Sequence, residues 1–348
     1  MKLIKTTEAV GHVLCHDMTR IVPGVIKDAV FRKGHVVTRE DIPLLLEMGK
    51  ENLYVWEKDE NALHEDDAAK ILYELCAGAQ RVLTPTPVKE GKIKIIAAEP
   101  GLFKLDKRRA YDVNALGEIM IATRRGNFPV KKDDILGAVR VIPLVIDRAK
   151  MERARAVAGE TPLMRLLPFT LKHAAVITTG NEVFLGRIKD SFTPVIERKL
   201  AEYGVDISEH AILGDDPAAV TESIRAMIQN GADLVICTGG MSVDPDDRTP
   251  LAIKNTGARI VSYGAPVSPG AMFLLSYFAQ GERNIPVVGL PGCVMYCGRT
   301  IFDILLPRLL ANDPITEGDI SALGDGGLCL ECEVCTYPNC GFGQGADR

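Results

Sequence analysis

The stretch DLVICTGGMSVDPDD, residues 233–247, places an uninterrupted apolar run directly before two glycines and a group of aspartates. Such a run is typical of a β-strand that is buried on both faces. Glycines that follow a strand let the backbone approach a phosphate closely. The aspartates would repel a phosphate, so either a divalent cation lies between the two groups or the aspartates only cap a helix.

The same pattern recurs on both sides of this stretch. Further strands are predicted at HAAVITTG (173–180), VDISEHAIL (205–213), ARIVSYG (258–264), AMFLLSYF (271–278) and IPVVGLPG (285–292). Helical periodicity separates them: Phe192, Ile196, Leu200 and Tyr203 share one face, and Val220, Ile224, Met227 and Ile228 share another, after an Asp216–Pro217 helix start. A last helix is predicted from Met295 to about Leu310. Residues 171–312 therefore favour an α/β fold, with a three-layer, mostly parallel sheet and helices on both faces.

The rest of the chain is predicted to form smaller segments. Residues 1–85 indicate an α+β domain, with Thr38 as the N-cap of a helix that Gly49 ends, a strand at NLYVW (52–56) and a helix from Glu65 to Ala77. Residues 90–147 are rich in β-branched residues and indicate a small β-rich barrel or clip domain. Residues 148–170 are interpreted as a linker or charged helix, and residues 313–348 as a cysteine-rich tail.

The composition and charge argue against a nucleic-acid-binding, membrane-spanning or secreted protein. The chain has 348 residues, of which 47% are hydrophobic and 25% charged, and its net charge is −5. This charge gives no general electrostatic reason to expect nucleic acid or an anionic membrane as a partner. The first residues lack the apolar core of a signal peptide, and no apolar run reaches the roughly 18 residues of a membrane-spanning helix. We therefore expect a cytoplasmic protein.

Three of the predicted strands end in similar loops: TTGNE (178–182), CTGGMS (237–242) and GLPGC (289–293). Ligands bind at the carboxyl ends of strands in such sheets, and a helix N-terminus after each loop would favour an anion. Mg²⁺ prefers one or two carboxylates together with phosphate oxygens. The surrounding carboxylates are therefore candidate metal ligands, or helix caps where the spacing also allows it: Glu182, Asp190, Asp215, Asp216, Asp244, Asp246 and Asp247.

These loops carry a resemblance to a known family. TTGNEVFLGRIKDS, ILGDD, CTGGMSVDPDDRTP, APVSPG and GLPG occur in the order and spacing of molybdopterin-binding proteins. The chain most resembles the molybdopterin molybdenumtransferase family, which inserts molybdate into adenylylated molybdopterin. The resemblance covers residues 165–312 well and the N-terminal part more weakly. CinA-type nucleotide pyrophosphatases have a similar fold and similar loops.

The resemblance implies roles for individual residues. Glu182, Asp215 and Asp247 would be catalytic and would hold Mg²⁺, which bridges a pyrophosphate while water or a molybdate oxygen attacks and AMP leaves. The implied ligand-binding residues are Thr179, Gly180, Asp190, Ser191, Gly239, Gly240, Ser242, Pro269, Gly270, Pro291 and Gly292. Molybdoenzymes or cofactor-biosynthesis proteins are the implied partners. A homodimer is also implied, to whose site Asp17 of a second subunit would contribute.

Two departures from the family pattern keep other functions open. Ser268 and Ala271 replace the lysines that usually flank the Pro-Gly turn, and Cys293 and Val294 replace Asn and Pro in the last loop. Losing both lysines removes point charges that would bind an oxyanion, although Arg187, Lys189, Arg248 or Lys254 would be able to compensate. The alternatives are a non-catalytic carrier or sensor of molybdenum cofactor, or a CinA-like pyrophosphatase.

The cysteines are unevenly placed. Four of the nine, Cys329, Cys332, Cys335 and Cys340, form a C-x₂-C-x₂-C-x₄-C motif. In a reducing compartment this predicts a zinc or iron–sulfur site, the alternative being a flexible tail with free thiols. Few apolar residues surround the motif, so we expect it to be disordered without metal. Cys293, near the predicted start of the last helix, is either a reactive thiol or a small residue in a tight loop.

Overall fold

A computed structural model describes residues 2–22, 26–55, 60–242, 244–245 and 247–347. Two compact units divide the chain, and each contains several segments. The first unit comprises Met1–Ile96, Asp106–Arg124 and Ile135–Met164, and the second comprises Ala97–Leu105, Arg125–Asp134 and Arg165–Arg348. Within the described ranges, no helix is long and apolar enough to span a membrane.

The described strands are β1 Lys2–Lys5, β2 Met18–Val22, β3 Ile26–Phe31, β4 Asn52–Val55, β5 Ala62–His64, β6 Leu83–Pro85, β7 Lys92–Ala97, β8 Gly101–Leu105, β9 Ile119–Thr123, β10 Phe128–Val130, β11 Ile135–Val141, β12 Val145–Asp147, β13 Met164–Leu167, β14 His173–Thr179, β15 Asp206–Leu213, β16 Leu234–Thr238, β17 Arg259–Tyr263, β18 Leu274–Gln280 and β19 Arg283–Leu290. The α-helices are α1 Asp41–Glu47, α2 Glu65–Ala77, α3 Lys107–Asn114, α4 Arg148–Ala158, α5 Asn181–Phe184, α6 Thr193–Ala201, α7 Pro217–Gln229, α8 Thr249–Asn255, α9 Ile301–Leu310 and α10 Glu317–Ala322.

The first unit contains the helix predicted from Glu65 to Ala77, which the structure has as α2. The predicted strand 52–56 is confirmed as β4 up to Val55, and Trp56 lies outside the described residues. Thr38 is not the N-cap, because α1 begins at Asp41, whose carboxylate instead accepts bonds from the Thr38 hydroxyl and N–H. Helix α1 ends at Glu47, two residues before Gly49.

The segment 90–147 is β-rich, but its strands belong to two units. Strands β7, β9 and β11 form the antiparallel sheet of order β6-β7-β11-β9, whereas β8 pairs with β10 in the second unit. Turn residues mark where strands end and do not specify which strands pair. Residues 148–170 are interpreted from the sequence as a linker or a charged helix, and the structure has a helix, α4, over Arg148–Ala158. Met151 and Ala154 of this helix are fully buried. The predicted domain boundaries themselves stay a prediction.

The second unit is built on a six-stranded sheet of order β15-β14-β16-β19-β18-β17. Strands β15, β14, β16 and β19 pair in parallel, and β18 pairs antiparallel with both β19 and β17. The predicted α/β character of this unit is thus confirmed. Because the four parallel strands point the same way, the loops that follow them meet at one edge of the sheet.

Two apolar clusters cover the two faces of this sheet. Successive side chains of a strand point to opposite faces, and Val176 and Ile177 of β14 accordingly belong to different clusters. The Val176 cluster includes Ile196 of α6 and residues of α9. The Ile177 cluster includes Ile224 of α7 and residues of α8. Helices therefore pack on both faces, which explains why β14 and β16 read as continuous apolar runs.

The last helix begins later than the sequence predicts. Residues Gly292–Met295 form a short 3₁₀ turn, and α9 begins only at Ile301. A capping box starts the helix: Asp303 accepts a bond from the Thr300 N–H at 2.8 Å, and the Thr300 hydroxyl caps the N–H of Phe302 at 3.3 Å. The prediction of a helix from Met295 is therefore wrong, because Thr300 and Asp303 outweigh the apolar residues that precede them.

Candidate functional site at the strand ends

A cavity of about 720 Å³ lies where β14, β15 and β16 end. It is lined by Thr179, Gly180, Asn181, Glu182, Val183, Ile188, Lys189, Ser191, Phe192, Asp215, Asp216, Gly239, Gly240, Asp244, Asp247, Arg248 and Met295. We call it the strand-end pocket. It brings together the three predicted catalytic carboxylates and several of the predicted ligand-binding residues, whereas Asp246 lies outside the described residues.

Threonines and glycines tie two of its loops together. The Thr179 hydroxyl donates to the Thr238 carbonyl at 3.1 Å and lies 3.0 Å from the Thr249 hydroxyl. Gly239 has φ +80°, and a Cβ built there would lie 2.2 Å from the Thr179 carbonyl oxygen. Gly240 has φ +56°, and its Cβ would lie 2.7 Å from the Thr249 hydroxyl. Both glycines are therefore required by the close approach of the loops themselves.

Replacing Gly239 with Ala is expected to lower the free energy of unfolding by about 1–3 kcal/mol, since the new Cβ meets a backbone oxygen at a left-handed φ. Chemical denaturation followed by circular dichroism measures the change. Gly298→Ala is the control, because a Cβ there meets no atom within 4 Å. Equal stability of the two variants would contradict this explanation.

Two of the catalytic candidates are oriented by backbone N–H groups. The Asp215 carboxylate accepts a bond from the Asn181 N–H at 3.1 Å, and the Asn181 side chain accepts the Asp215 N–H at 3.4 Å. The Asp247 carboxylate accepts the Ser242 N–H at 2.8 Å. Each of these bonds uses one oxygen of the carboxylate and fixes its direction. Glu182 lies over Gly180, with its Oε1 2.9 Å from where a Cβ would be.

The structure assigns two other aspartates to capping. Asp216 accepts the Ala218 N–H at 3.0 Å and is the N-cap of α7, as predicted. Asp190 accepts the N–H groups of Phe192 and Thr193 at 2.8 and 3.1 Å, and the Thr178 hydroxyl at 3.0 Å. Burial raises the pKa of Asp190, but these bonds and one from the Thr193 hydroxyl outweigh it and hold the pKa below its usual value. Of the two roles considered for Asp190, these contacts favour the cap.

The remaining predicted residues lie in other places. Pro269 lines a different cavity, and Gly270 packs so closely on Ile301 that a Cβ would lie 2.5 Å from its Cγ2 atom. Ser242 donates its N–H to the Asp247 carboxylate, and Ser191 lines the strand-end pocket. Pro291 and Gly292, from the loop after β19, are not among the lining residues of the strand-end pocket within the described part of the chain. Asp17 accepts the Lys33 N–H at 2.8 Å in the first unit.

Some lining residues escaped the sequence reasoning. Asn181 lies inside the quoted TTGNE loop and pairs with Asp215, so its amide was a signal that the motif already contained. Met295 lines the pocket because the chain turns there instead of starting a helix. The helix N-termini expected beside the loops are also weak, because α5 is 4 residues long and α8 is 7.

The charges of the pocket are unbalanced. Glu182, Asp215, Asp216, Asp244 and Asp247 line it, against Lys189 and Arg248. Within the described residues, no group of three or more His, Cys, Asp or Glu side chains converges to hold a metal ion as it stands. The donor chemistry nevertheless suits Mg²⁺, which takes one or two carboxylates and completes its shell with phosphate oxygens and water. An anion alone would be repelled by this carboxylate set.

The surroundings of Cys293 distinguish the two interpretations that the sequence left open for it. Cys293 lies in the 3₁₀ turn and not at the start of α9. Burial raises the pKa of the Cys293 thiol, with a further contribution from Cys297. The tight-loop interpretation of Cys293 fits this environment, and the activated thiol does not.

The tail is packed in the structure, which differs from the expectation of disorder. Phe342 is 4% exposed and belongs to the apolar cluster of α9. The Tyr337 hydroxyl donates to the Asp303 carbonyl at 2.9 Å. The sequence reasoning missed these two aromatic anchors, which flank the last cysteine.

The part of the chain that carries the strand-end pocket is similar to a known family. Residues 175–311 match the family described as a probable molybdopterin binding domain. The match covers less than half of the chain and includes the loops after β14, β15 and β16. Residues 3–57 match a domain of unknown function, DUF8806.

Similar proteins match parts of the same chain. A CinA-like protein of Mycobacterium tuberculosis (strain ATCC 25177 / H37Ra) is 38% identical over 76 residues, 22% of this chain and 18% of that protein. A putative competence-damage inducible protein of Bacillus velezensis is 36% identical over 114 residues, 33% and 26% of the two chains. The chain thus spans only about a fifth to a quarter of these relatives. The solved structure of the tungsten cofactor synthesizing protein MoaB from Pyrococcus furiosus matches with a TM-score of 0.35 and 21% identity, covering 42% of this chain and 98% of that one.

Proposed function

We propose that the strand-end pocket binds a molybdopterin-type ligand and, with Mg²⁺, carries out insertion of molybdate into adenylylated molybdopterin with release of AMP. One observation carries the proposal: within the probable molybdopterin binding domain, carboxylates from three strand-end loops line one pocket with Lys189 and Arg248. The second subunit that the sequence resemblance implies, and a cytoplasmic location, are part of the same proposal.

Each group has a proposed part in this reaction. Bound Mg²⁺ would neutralise the pyrophosphate and stabilise charge on the leaving phosphate. Asp215 and Asp247 would hold the cation, since each is already oriented by a backbone N–H, and Glu182 would complete the set. Lys189 and Arg248 would contact the phosphate oxygens. A water or molybdate oxygen would attack the pterin-side phosphorus, whose bond to the bridging oxygen breaks, so that AMP leaves with that oxygen and the electron pair. The two dithiolene sulfurs would then bond to molybdenum, and one molybdate oxygen would leave as water with the two thiol protons.

A second candidate, a carrier or sensor that binds the cofactor without inserting metal, is favoured by the surroundings of Ser268. The Ser268 N–H donates to the Gly327 carbonyl at 2.8 Å, and the Ser268 carbonyl accepts the Cys329 N–H at 2.8 Å. The family that the sequence resembles has a lysine at this position, whereas here the backbone of Ser268 bonds to the tail. Molybdate would therefore have no lysine ammonium to bind at this position. A CinA-like pyrophosphatase is the third candidate, supported by the partial CinA-like matches.

Incubation of the purified protein with adenylylated molybdopterin distinguishes these functions. We expect AMP release that requires both Mg²⁺ and molybdate, measured by chromatography with each component omitted in turn. Tight binding without AMP release would overturn the transferase in favour of the carrier. Hydrolysis of ADP-ribose with Mg²⁺ alone would favour the pyrophosphatase.

A further inference from the structure

A second cavity in the same unit, of about 610 Å³, is lined by five cysteines. Four are the tail residues Cys329, Cys332, Cys335 and Cys340, and the fifth is Cys297, from the segment between the 3₁₀ turn and α9. We call it the cysteine cavity. Cys297 lies 32 residues before the tail motif begins, so no spacing rule in the sequence groups it with the others.

Protein contacts hold the tail against this cavity. Cys329 is fixed by its N–H bond to the Ser268 carbonyl at 2.8 Å. Tyr337 is fixed by its hydroxyl bond to the Asp303 carbonyl, and the Arg299 guanidinium lies 5.1 Å from the centre of its ring. The tail is therefore fixed against the domain on both sides of Cys332 and Cys335, which are themselves exposed.

The arrangement suits a cluster better than a single ion. A zinc ion needs four ligands that converge to within about 2.3 Å of one point, whereas cluster ligands bind different iron atoms and stay apart. Among the described residues, the thiols do not converge on one point, yet they line one shared space.

Aromatic and charged side chains line the cavity beside the cysteines. Tyr337 and Phe342 form an apolar part of the lining, and Phe342 is 4% exposed. The Arg299 guanidinium also lines it, as does Glu331, and Arg299 is held in place by Glu202 and Asp303 at 3.1 and 2.9 Å. Burial, hydrogen bonds and nearby charge are the features by which proteins adjust such clusters.

We propose that the cysteine cavity binds an iron–sulfur cluster through Cys297, Cys329, Cys332 and Cys335. The three tail residues keep the C-x₂-C-x₂-C spacing of bacterial ferredoxins, and Cys340 departs from it in spacing and in its preceding proline. The fourth thiolate thus comes from the body of the domain. This proposal does not depend on the proposed function.

The test is anaerobic purification of the full chain, with iron, zinc and acid-labile sulfide determined per protein and the absorption and electron paramagnetic resonance spectra recorded. We expect about four iron and four sulfide per chain, as in a [4Fe–4S] cluster. Cys297→Ser and Cys332→Ser should each lose most of the iron, whereas Cys340→Ser should keep it. Cys293→Ser is the matched control, since Cys293 lies four residues from Cys297 and outside the lining of the cysteine cavity among the described residues.

Two other results would contradict the proposal, one for the type of metal site and one for the choice of ligands. Stoichiometric zinc without iron or sulfide, in protein also given both during reconstitution, would overturn the cluster. Iron retained in Cys297→Ser but lost in Cys340→Ser would overturn the assignment of Cys297. Circular dichroism of each variant distinguishes loss of the cluster from loss of the fold.

Discussion

Replacing Asp303 with Asn is expected to lower the free energy of unfolding of the second unit by about 3–5 kcal/mol, the usual cost of removing one partner of a buried ion pair. The Asp303 carboxylate binds the Lys199 ammonium at 2.7 and 2.8 Å, and these side chains are 2% and 7% exposed. The variant keeps an oxygen for the Thr300 N–H but removes the charge. Lys199 is then left buried without an anion, which is the main cost.

Urea denaturation, followed by circular dichroism and by Tyr fluorescence, measures the loss. Glu202→Gln is the matched control, because Glu202 also pairs with Arg299, at 3.1 Å, but its side chain is 45% exposed. Exposed pairs contribute about 0–1 kcal/mol. If the two variants lose the same stability, the buried pair does not stabilise the domain as argued here.

Replacing Asp247 with Asn should reduce AMP release by roughly 100-fold, because about 3 kcal/mol of metal-mediated charge stabilisation is lost. Asn still presents an oxygen to the Ser242 N–H, so the loop keeps its bond and only the charge changes. Turnover is compared at saturating Mg²⁺ with that of Asp216→Asn. Asp216 lines the same pocket but caps α7, and Asn caps a helix about as well as Asp.

The sign of the effect on binding should reverse when Mg²⁺ is removed. In EDTA the pocket carboxylates only repel the phosphates, so Asp247→Asn should bind adenylylated molybdopterin as well as the wild type or better. Titration calorimetry measures the affinity of both proteins for adenylylated molybdopterin, with Mg²⁺ and in EDTA. Unchanged turnover, or equal weakening in EDTA, would show that Asp247 does not act through a cation.

The fold of the second unit was predictable because a strand that is buried on both faces of its sheet is a continuous apolar run in the sequence. The residues 174–177 of β14 and 234–237 of β16 are all apolar and fully buried, and the helices between these strands carry one apolar face each. The start of α9 was not predictable from periodicity, because Val294 is fully buried like a helix residue while the chain there forms a 3₁₀ turn. Strand pairing in residues 90–147 depends on contacts between residues far apart in sequence.

The candidate site was predictable as a set of loops but not residue by residue. Asp190 and Asp247 both follow glycine-containing loops, yet Asp190 lies three residues before α6 and accepts the N–H groups of Phe192 and Thr193, whereas Asp247 accepts the N–H of Ser242. The two aspartates differ in their hydrogen-bond partners, which the sequence does not reveal. Cys297 shows the same limit, since a thiol that joins a motif through space leaves no spacing in the sequence.

The short segment between Gly292 and Thr300 serves as a wall of both cavities. Met295 lines the strand-end pocket, and Tyr296, Cys297, Gly298 and Arg299 line the cysteine cavity. Deleting or inserting one residue here would shift the register of both walls at once, while the Thr300 capping box would keep α9 in place. Length variation in this segment should therefore be far less tolerated among variants than substitution, although the segment contains no regular helix beyond its 3₁₀ turn.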